Sequence, residues 1–344
     1  MMYNGFYAGK KILVTGGAGS IGSSLVRKLL ALDPAIIRVF DNNETGLFDM
    51  EQELRSGKIR TLIGDIRDKD RLSMAMEGID IVFHTSALKH VPLCEYNPFD
   101  AVKTNVLGTQ NVLESALANG VKKVINVSTD KAVSPTNVMG ATKLLAERLT
   151  ISANYYTGKR KTVFSSVRFG NVLNSRGSVI PLFKKQIKEG GPVTITDEWM
   201  TRFFMEIDTA CSLILTAGKI AVGREIFILK MPAFRLRELA EAMIAEYAPA
   251  YGHKPEKIKI KIIGKRNGEK LHEDLMAEEE ADRTWERKDM FLIIPHILDY
   301  EDPLDTAMTK GFRKTMKSRF SSQDGPFAGT GEIRRILRGI GTGE

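Results

Sequence analysis

The chain has little cysteine. Its 344 residues hold two, Cys94 and Cys211, isolated and outside any C-x-x-C motif. That excludes a disulfide framework and fits a reduced, cytoplasmic setting. No apolar run reaches the roughly 18–20 residues that a bilayer crossing needs, so no transmembrane segment is expected. Met1 to Lys10 lack the apolar stretch of a signal peptide. The five histidines, His84, His90, His253, His272 and His296, are dispersed. His272-Glu273 does not continue into His-Glu-x-x-His, so no metal is expected. Helix-turn-helix, zinc-finger and aromatic RNA-binding signatures are absent, which argues against a nucleic-acid partner.

What is present is a 43% hydrophobic chain with a formal charge of +8. Part of that charge is local. From Asp305 onward eight basic residues (Lys310, Arg313, Lys314, Lys317, Arg319, Arg334, Arg335, Arg338) face four acidic ones (Asp305, Asp324, Glu332, Glu344). Such a tail either meets an anionic partner or is simply solvated.

Strand-like and helical runs alternate through the first half. Strands are expected at Lys11–Thr15, Ile36–Phe40, Lys58–Ile63, Asp80–His84, Lys122–Val127 and Thr162–Arg168. Helices are expected at Ser20–Leu32, Glu44–Arg55, Asp68–Met76, Phe99–Asn119 and Asn137–Tyr156. This is the pattern of an α/β fold, a Rossmann-type doubly wound parallel sheet with helices on both faces. After Gly170 the pattern loosens into a smaller mixed lobe. The expected division is a dinucleotide domain over 1–170, a substrate lobe over 171–304 interleaved with it, and a basic tail over 305–344. The stretch from Ser321 on has the composition of a flexible segment.

Thr15-Gly16-Gly17-Ala18-Gly19-Ser20-Ile21-Gly22 lies between a strand and a helix. Gly16, Gly19 and Gly22 have the spacing of a pyrophosphate-binding turn. The first permits the tight turn, the second the approach of phosphate, the third close helix packing. Backbone N–H groups of Ser20 and Ile21 at the helix start would meet the phosphates. Asp41, nineteen residues after Gly22, ends the second strand. A carboxylate there binds the adenosine ribose and repels a 2′-phosphate, so NAD is favoured over NADP. Asp65 and Ile66 follow the third strand, near the adenine; Asp65 also suits a helix N-cap.

The fifth strand leads into Ser128-Thr129-Asp130-Lys131, and eight residues later comes Met139-Gly140-Ala141-Thr142-Lys143. In open α/β sheets ligands bind at the carboxyl ends of strands, so Thr129, Asp130 and Lys131 stand where chemistry is expected. The glycine loop, the late Lys143 and the strand order resemble the extended short-chain dehydrogenase/reductase class. Closer strings are Ala87-Leu88-Lys89-His90-Val91-Pro92, Ser128 to Lys143, Arg168-Phe169-Gly170-Asn171-Val172 with Ser175-Arg176-Gly177-Ser178, Met200-Thr201-Arg202-Phe203-Phe204, and Gly268-Glu269-Lys270-Leu271-His272-Glu273. Together they resemble the UDP-N-acetylglucosamine 4,6-dehydratases of polysaccharide biosynthesis, the CapD-like branch.

That class usually carries Tyr-x-x-x-Lys, and here the tyrosine position is Met139. A thioether cannot exchange a proton. Its plain reading is a buried, gap-filling methionine. Within the resemblance it matches dehydratases that retain configuration at carbon 5 and work without the tyrosine. The implied chemistry is transient oxidation at carbon 4, elimination across carbons 5 and 6, and return of the hydride to carbon 6. Lys131 is the expected base, with a pKa depressed toward neutrality, and Asp130 the expected acid. An ionised Asp130, or Thr129 as relay, would first accept the carbon 4 hydroxyl proton. Lys143 would hold the nicotinamide ribose. Asn171, Ser178, Arg202, Arg266 and Glu269 resemble the nucleotide-sugar contacts, and Lys89 faces the sugar or its phosphates. The resemblance also implies a homo-oligomer, with Phe99–Asn119 and Asn137–Tyr156 as candidate contact helices. Two other readings remain open: a UDP-sugar 4-epimerase and a non-catalytic dinucleotide-binding sensor.

Overall fold

The computed structural model describes residues 3, 5–175, 177–295 and 307–340. Six short runs rich in Ile, Val and Phe form strands β1 (Lys11–Thr15), β2 (Ile36–Asp41), β3 (Ile59–Ile63), β4 (Ile81–His84), β5 (Lys123–Thr129) and β6 (Val163–Phe169). Helices α1 (Ser20–Leu30), α2 (Glu44–Leu54), α3 (Lys69–Met76), α4 (Val91–Tyr96), α5 (Pro98–Ala101), α6 (Gly108–Ala118) and α7 (Val138–Ser152) lie between them. Every residue of β4, and all but the ends of β5, is buried, as a sheet covered on both faces requires. Side chains start several helices: Asn43, Asp68 and Asn137 accept from the backbone N–H of Gly46, Arg71 and Gly140.

The second half adds β7 (Asn171–Val172), α8 (Val179–Lys188), β8 (Val193–Ile195), β9 (Thr201–Met205), α9 (Ile207–Ile220), β10 (Ile226–Leu229), β11 (Ala233–Arg235) and α10 (Leu236–Tyr247). It continues with β12 (Ile260–Ile262), β13 (Asp274–Met276), β14 (Thr284–Glu286), β15 (Met290–Ile293), β16 (Arg313–Lys314), β17 (Phe320–Ser321) and α11 (Thr330–Ile340). The main sheet has ten strands in the order β16-β14-β15-β10-β6-β5-β4-β1-β2-β3. The run from β10 to β3 is parallel; β15, β14 and β16 are antiparallel. The chain order reverses between β1 and β4, which opens a crevice at the carboxyl ends of those strands. The second lobe packs β7, β9 and β11 with α8, α10 and α11 around Phe183, Phe204, Phe234 and Tyr247.

Three expectations shift. The helix expected over Phe99–Asn119 is α5, a π-helical stretch over Val102–Leu107, and α6. The wide turn buries Asn105, which donates to Leu88 O (3.0 Å) and Thr142 Oγ1 (3.0 Å) and accepts from Leu88 N (2.8 Å). The helix expected to reach Tyr156 ends at Ser152 and tightens into a 3₁₀ turn. The stretch after Ser321, expected to be flexible from its composition, is packed over its described part, to residue 340. Ile333 and Leu337 are buried against the second lobe, and Leu337 O accepts from Tyr247 Oη (2.9 Å). Asp305 and Glu344 lie outside the described residues.

Candidate active site

The glycine loop leads from β1 into α1. Gly16 has φ +68°, and a side chain there would meet the backbone of Ser86. A Cβ on Gly22 would lie 2.2 Å from Gly16 O, so α1 sits directly on the loop. Gly17, not singled out from the sequence, is equally constrained: its Cβ would be 2.3 Å from Val39 Cγ1. Gly19 caps α1 without a side chain, and the first turn of α1 has no acid to oppose an incoming phosphate. Asp41 closes the loop by accepting from Ala18 N (2.9 Å) and Asn43 N (2.9 Å). Asp65 is not the N-cap of α3; that is Asp68. Asp65 instead forms a two-pronged pair with Arg67, which holds its carboxyl below the usual range. Ile66 is buried behind it. This bare glycine cradle with an acid at the end of β2 fits a dinucleotide.

Beneath the loop lies His84, a residue the sequence did not mark. Thr109 Oγ1 donates to Asn105 O (2.7 Å) and so accepts from His84 Nε2–H (3.1 Å). His84 Nδ1 then accepts from Thr15 Oγ1 (2.7 Å). Burial, with the nearby Lys143 cation, pushes the imidazole down to about 3, so it stays neutral.

At the end of β5 the expected residues do meet. Lys131 Nζ donates to Asp130 Oδ1 (2.9 Å) and Asn171 Oδ1 (3.2 Å), and Thr129 Oγ1 also donates to Asp130 Oδ1 (2.8 Å). Asp130 is wholly buried, so this is no surface ion pair. A second carboxylate joins them: Glu273 Oε1 is 3.8 Å from Lys131 Nζ and 3.9 Å from Arg202 Nε. Sequence reading placed Glu273 only at the end of a matched string, because nothing local ties it to a residue so distant in the chain. Asp130 Oδ2 and Glu273 Oε2 have no hydrogen-bond partner among the described residues. The expectation of a depressed Lys131 pKa is corrected. Burial would lower it, but Asp130 and Glu273 outweigh burial and leave the ammonium above the usual lysine range. Glu273 is raised by burial, and Asp130 adds to this against the pull of Lys131 and Arg202. Lys143 behaves in the opposite way. Buried and donating to Val127 O (2.6 Å), it falls to about 8 through desolvation.

Met139 is buried against Cys94 and Ala101. Arg202, expected on a diphosphate, is buried. It donates to the carbonyls of Thr201 (2.7 Å), Leu271 (3.0 Å) and Lys270 (2.8 Å), with Glu269 at 3.6 Å. It therefore clamps the loop that carries Glu269 and Glu273. The same loop is tied to the start of α7: Gly268 O accepts from Thr136 Oγ1 (2.9 Å) and Asn137 Nδ2 (3.0 Å). Arg266 is exposed and its N–H donates to Glu269 Oε2 (3.0 Å); Lys89 is exposed beyond β4. Ser178 caps α8 through its backbone, and its hydroxyl has no partner among the described residues. Arg176 lies outside those residues. A separate cleft of about 590 Å³ beside Lys230, Arg287, Lys288 and Phe312 lies at the far edge of the sheet. Lys230 there is paired with Glu286 and Arg287 with Asp289.

Among the described residues no group of three or more His, Cys, Asp or Glu is placed to hold a metal, and no helix is long and apolar enough to cross a membrane.

Comparison with known proteins agrees with this geometry. The profile described as polysaccharide biosynthesis protein matches residues 12–295. An uncharacterised membrane protein of Methanocaldococcus jannaschii is 59% identical over 335 residues, 97% of each chain. A UDP-N-acetylglucosamine 4,6-dehydratase (inverting) of Campylobacter jejuni is 40% identical over 326 residues, 93% of this chain and 94% of that one. A UDP-glucose 4-epimerase of Rickettsia bellii is 43% identical over 278 residues, 80% of each. The crystal structure of Pen from Bacillus thuringiensis superposes with a TM-score of 0.91 at 45% identity, covering 98% of this chain and all of that one. DesIV, a dTDP-glucose 4,6-dehydratase of Streptomyces venezuelae crystallised with NAD, superposes at 0.66 with 26% identity over 76% of this chain and 86% of that one. The glycine cradle, the strand order and these likenesses agree: the chain belongs to the polysaccharide biosynthesis protein family, on the Rossmann-type fold of the sugar-nucleotide dehydratases and epimerases.

Proposed function

We propose that this protein is a UDP-N-acetylglucosamine 4,6-dehydratase serving the synthesis of a surface polysaccharide or glycan. The observation that carries the reading is the buried contact of Lys131 Nζ with Asp130 Oδ1 and Asn171 Oδ1 at the carboxyl end of β5. An acid and a base held side by side are what an elimination needs and what a simple epimerase does not. The dehydratase relative, named as inverting, supports the dehydration over most of the chain.

Thr15, Gly16, Gly19, Ser20, Ile21 and Gly22 cradle the pyrophosphate of NAD. Asp41 takes the adenosine ribose, and its charge disfavours NADP. Asp65 and Ile66 border the adenine, and Lys143 the nicotinamide ribose. When bound, the cofactor supplies reversible hydride acceptance, from carbon 4 and later to carbon 6. The protein manages the protons. Asp130, ionised and assisted by Thr129, accepts the carbon 4 hydroxyl proton. It then delivers that proton to the departing carbon 6 hydroxyl, which leaves as water. Lys131 removes the carbon 5 proton and, after exchange at Nζ with solvent, delivers a proton back to carbon 5. One group working on one face retains configuration there, in keeping with Met139 at the tyrosine position. Asn171, Ser178, Arg266, Glu269 and Lys89 face the nucleotide sugar, while Arg202 holds the loop that carries Glu269. With two buried, isolated cysteines and a UDP-hexosamine substrate, the setting is cytoplasmic.

The test is incubation of purified protein with UDP-N-acetylglucosamine and NAD, followed by mass spectrometry. The expected product has lost one water and, made in deuterated water, carries one deuterium at carbon 5 with configuration retained. An unchanged mass with an inverted carbon 4 would replace this reading with the epimerase.

A further inference from the structure

Lys131 stands between two buried carboxylates that are not equivalent. Asp130 Oδ1 accepts from both Thr129 Oγ1 (2.8 Å) and Lys131 Nζ (2.9 Å). Glu273 has no such support. Its Oε1 lies beyond hydrogen-bond length from Lys131 (3.8 Å) and from Arg202 (3.9 Å), and its Oε2 has no partner among the described residues. The backbone of Glu273 is nevertheless fixed. Its N–H donates to Ser322 Oγ (2.9 Å) and its carbonyl accepts from Ser322 N (2.8 Å). Glu273 is thus a desolvated carboxylate beside two cations, Lys131 and Arg202, with no direct hydrogen bond to either, and such a group has a strong tendency to take up a proton.

We propose that Glu273 is a positioning residue for catalysis that stores the Lys131 proton while Lys131 works as a base. This rests on the reading of Lys131 as the carbon 5 base. In the transfer the N–H bond at Nζ breaks, an O–H bond forms on the Glu273 carboxylate, and an ion pair becomes a neutral amine and a carboxylic acid. No electrons change hands. Closing the gap takes a shift of about 1 Å to reach hydrogen-bond length. Lys131 then takes the carbon 5 proton and later protonates carbon 5 again, after which Glu273 returns the stored proton. The charged groups facing Glu273 are Lys131, Asp130, Arg202 and Lys270, and its raised proton affinity survives all four. The neighbouring His272 is turned away, bonded through Nδ1 to Thr201 Oγ1 (2.7 Å).

Glu273→Gln keeps the shape and cannot accept the proton. We expect kcat to fall about 100-fold at neutral pH, with KM changed by less than about twofold. The pH profile is the decisive readout. In the wild type the working form differs from the resting form only in where one proton sits, so kcat has a plateau across neutral pH. In Glu273→Gln the proton must leave to solvent, so kcat rises about tenfold per pH unit below the Lys131 pKa. Glu273→Asp should restore part of the plateau. A parallel loss at every pH would mark a structural role and overturn the proposal. Infrared difference titration of the ligand-free protein tests it independently of turnover. A protonated carboxyl band should persist above the ordinary glutamate range, and Glu273→Gln should remove it. Absence of that band from folded wild-type protein overturns the proposal. A wild type that shows the band but releases no water from the sugar nucleotide overturns the functional reading instead.

Discussion

Lys131 and Lys143 lie twelve residues apart and titrate in opposite directions, because one faces two carboxylates and the other a backbone carbonyl. Lys143 is depressed to about 8 by burial, against an ordinary value of about 10.4. Folding at neutral pH therefore carries the cost of a buried ammonium. The sign follows from linkage: between about 8 and about 10.4 the unfolded chain binds more protons, so this group's cost fades as pH rises. Lys143→Met should stabilise the ligand-free protein at pH 7 by about 1–2 kcal/mol, after allowing for the lost bond to Val127 O. The gain should vanish near pH 10, and dinucleotide affinity should fall. Denaturant melts at the two pH values check the first claim, and calorimetric titration with NAD checks the second. A destabilised variant at pH 7 would contradict the burial cost assigned here. The gain would be a local case of stability surrendered for function.

The glycine loop is an element whose geometry depends on missing side chains. Gly22→Ala puts a methyl 2.2 Å from Gly16 O, well inside contact distance, so α1 must move off the loop. Overpacking of this kind costs about 1–3 kcal/mol, and NAD affinity should drop by at least about tenfold, measurable by calorimetry. The loop was legible from its glycine spacing, its flanking strand and helix, and Asp41. Gly17 was not, because its constraint comes from Val39 on the neighbouring strand, a contact that spacing within the loop cannot reveal. The π turn at Val102–Leu107 was also hidden. Its composition is ordinary for a helix, and its purpose is tertiary: it turns Asn105 onto Leu88 and Thr142. A similar network joins α7, β6 and the turn near residue 280. Arg168 there, fully buried, pairs with Glu147 and Glu280 and bonds Leu275 O (2.9 Å).

On the scale of the whole molecule two surfaces lead to predictions. Leu93, Tyr96, Phe99 and Leu107, on α4, α5 and the turn before α6, are all exposed, Tyr96 and Phe99 by 87% and 81%. We propose that these segments pair two copies of the chain, since exposed large apolar side chains mark contact surfaces. Phe99→Glu should shift the protein toward monomer in sedimentation velocity with little change in melting temperature. An unchanged sedimentation coefficient would rule the face out. The C-terminal segment has the opposite character. Ser322 holds Glu273, and α11 covers Tyr247 through Ile333 and Leu337. Removing residues 319–344 should lower the melting temperature and increase binding of a hydrophobic dye. Loss of activity should exceed what the lowered stability explains, because Glu273 would lose its anchor.

The sequence by itself determined what is written in short-range order. Alternating apolar runs made the parallel sheet, because strands buried on both faces must be apolar throughout. The glycine spacing and Asp41 made the glycine cradle, and a strand running into Thr129-Asp130-Lys131 pointed to the buried charged cluster at its end. Tertiary structure decided the rest. Glu273 reaches Lys131 only because Arg202, Asn137 and Ser322 fold one loop onto the end of β5. The charge state of Lys131 follows from that fold, since a pKa depends on which charges surround the group once water is removed. No spacing along the chain encodes that neighbourhood.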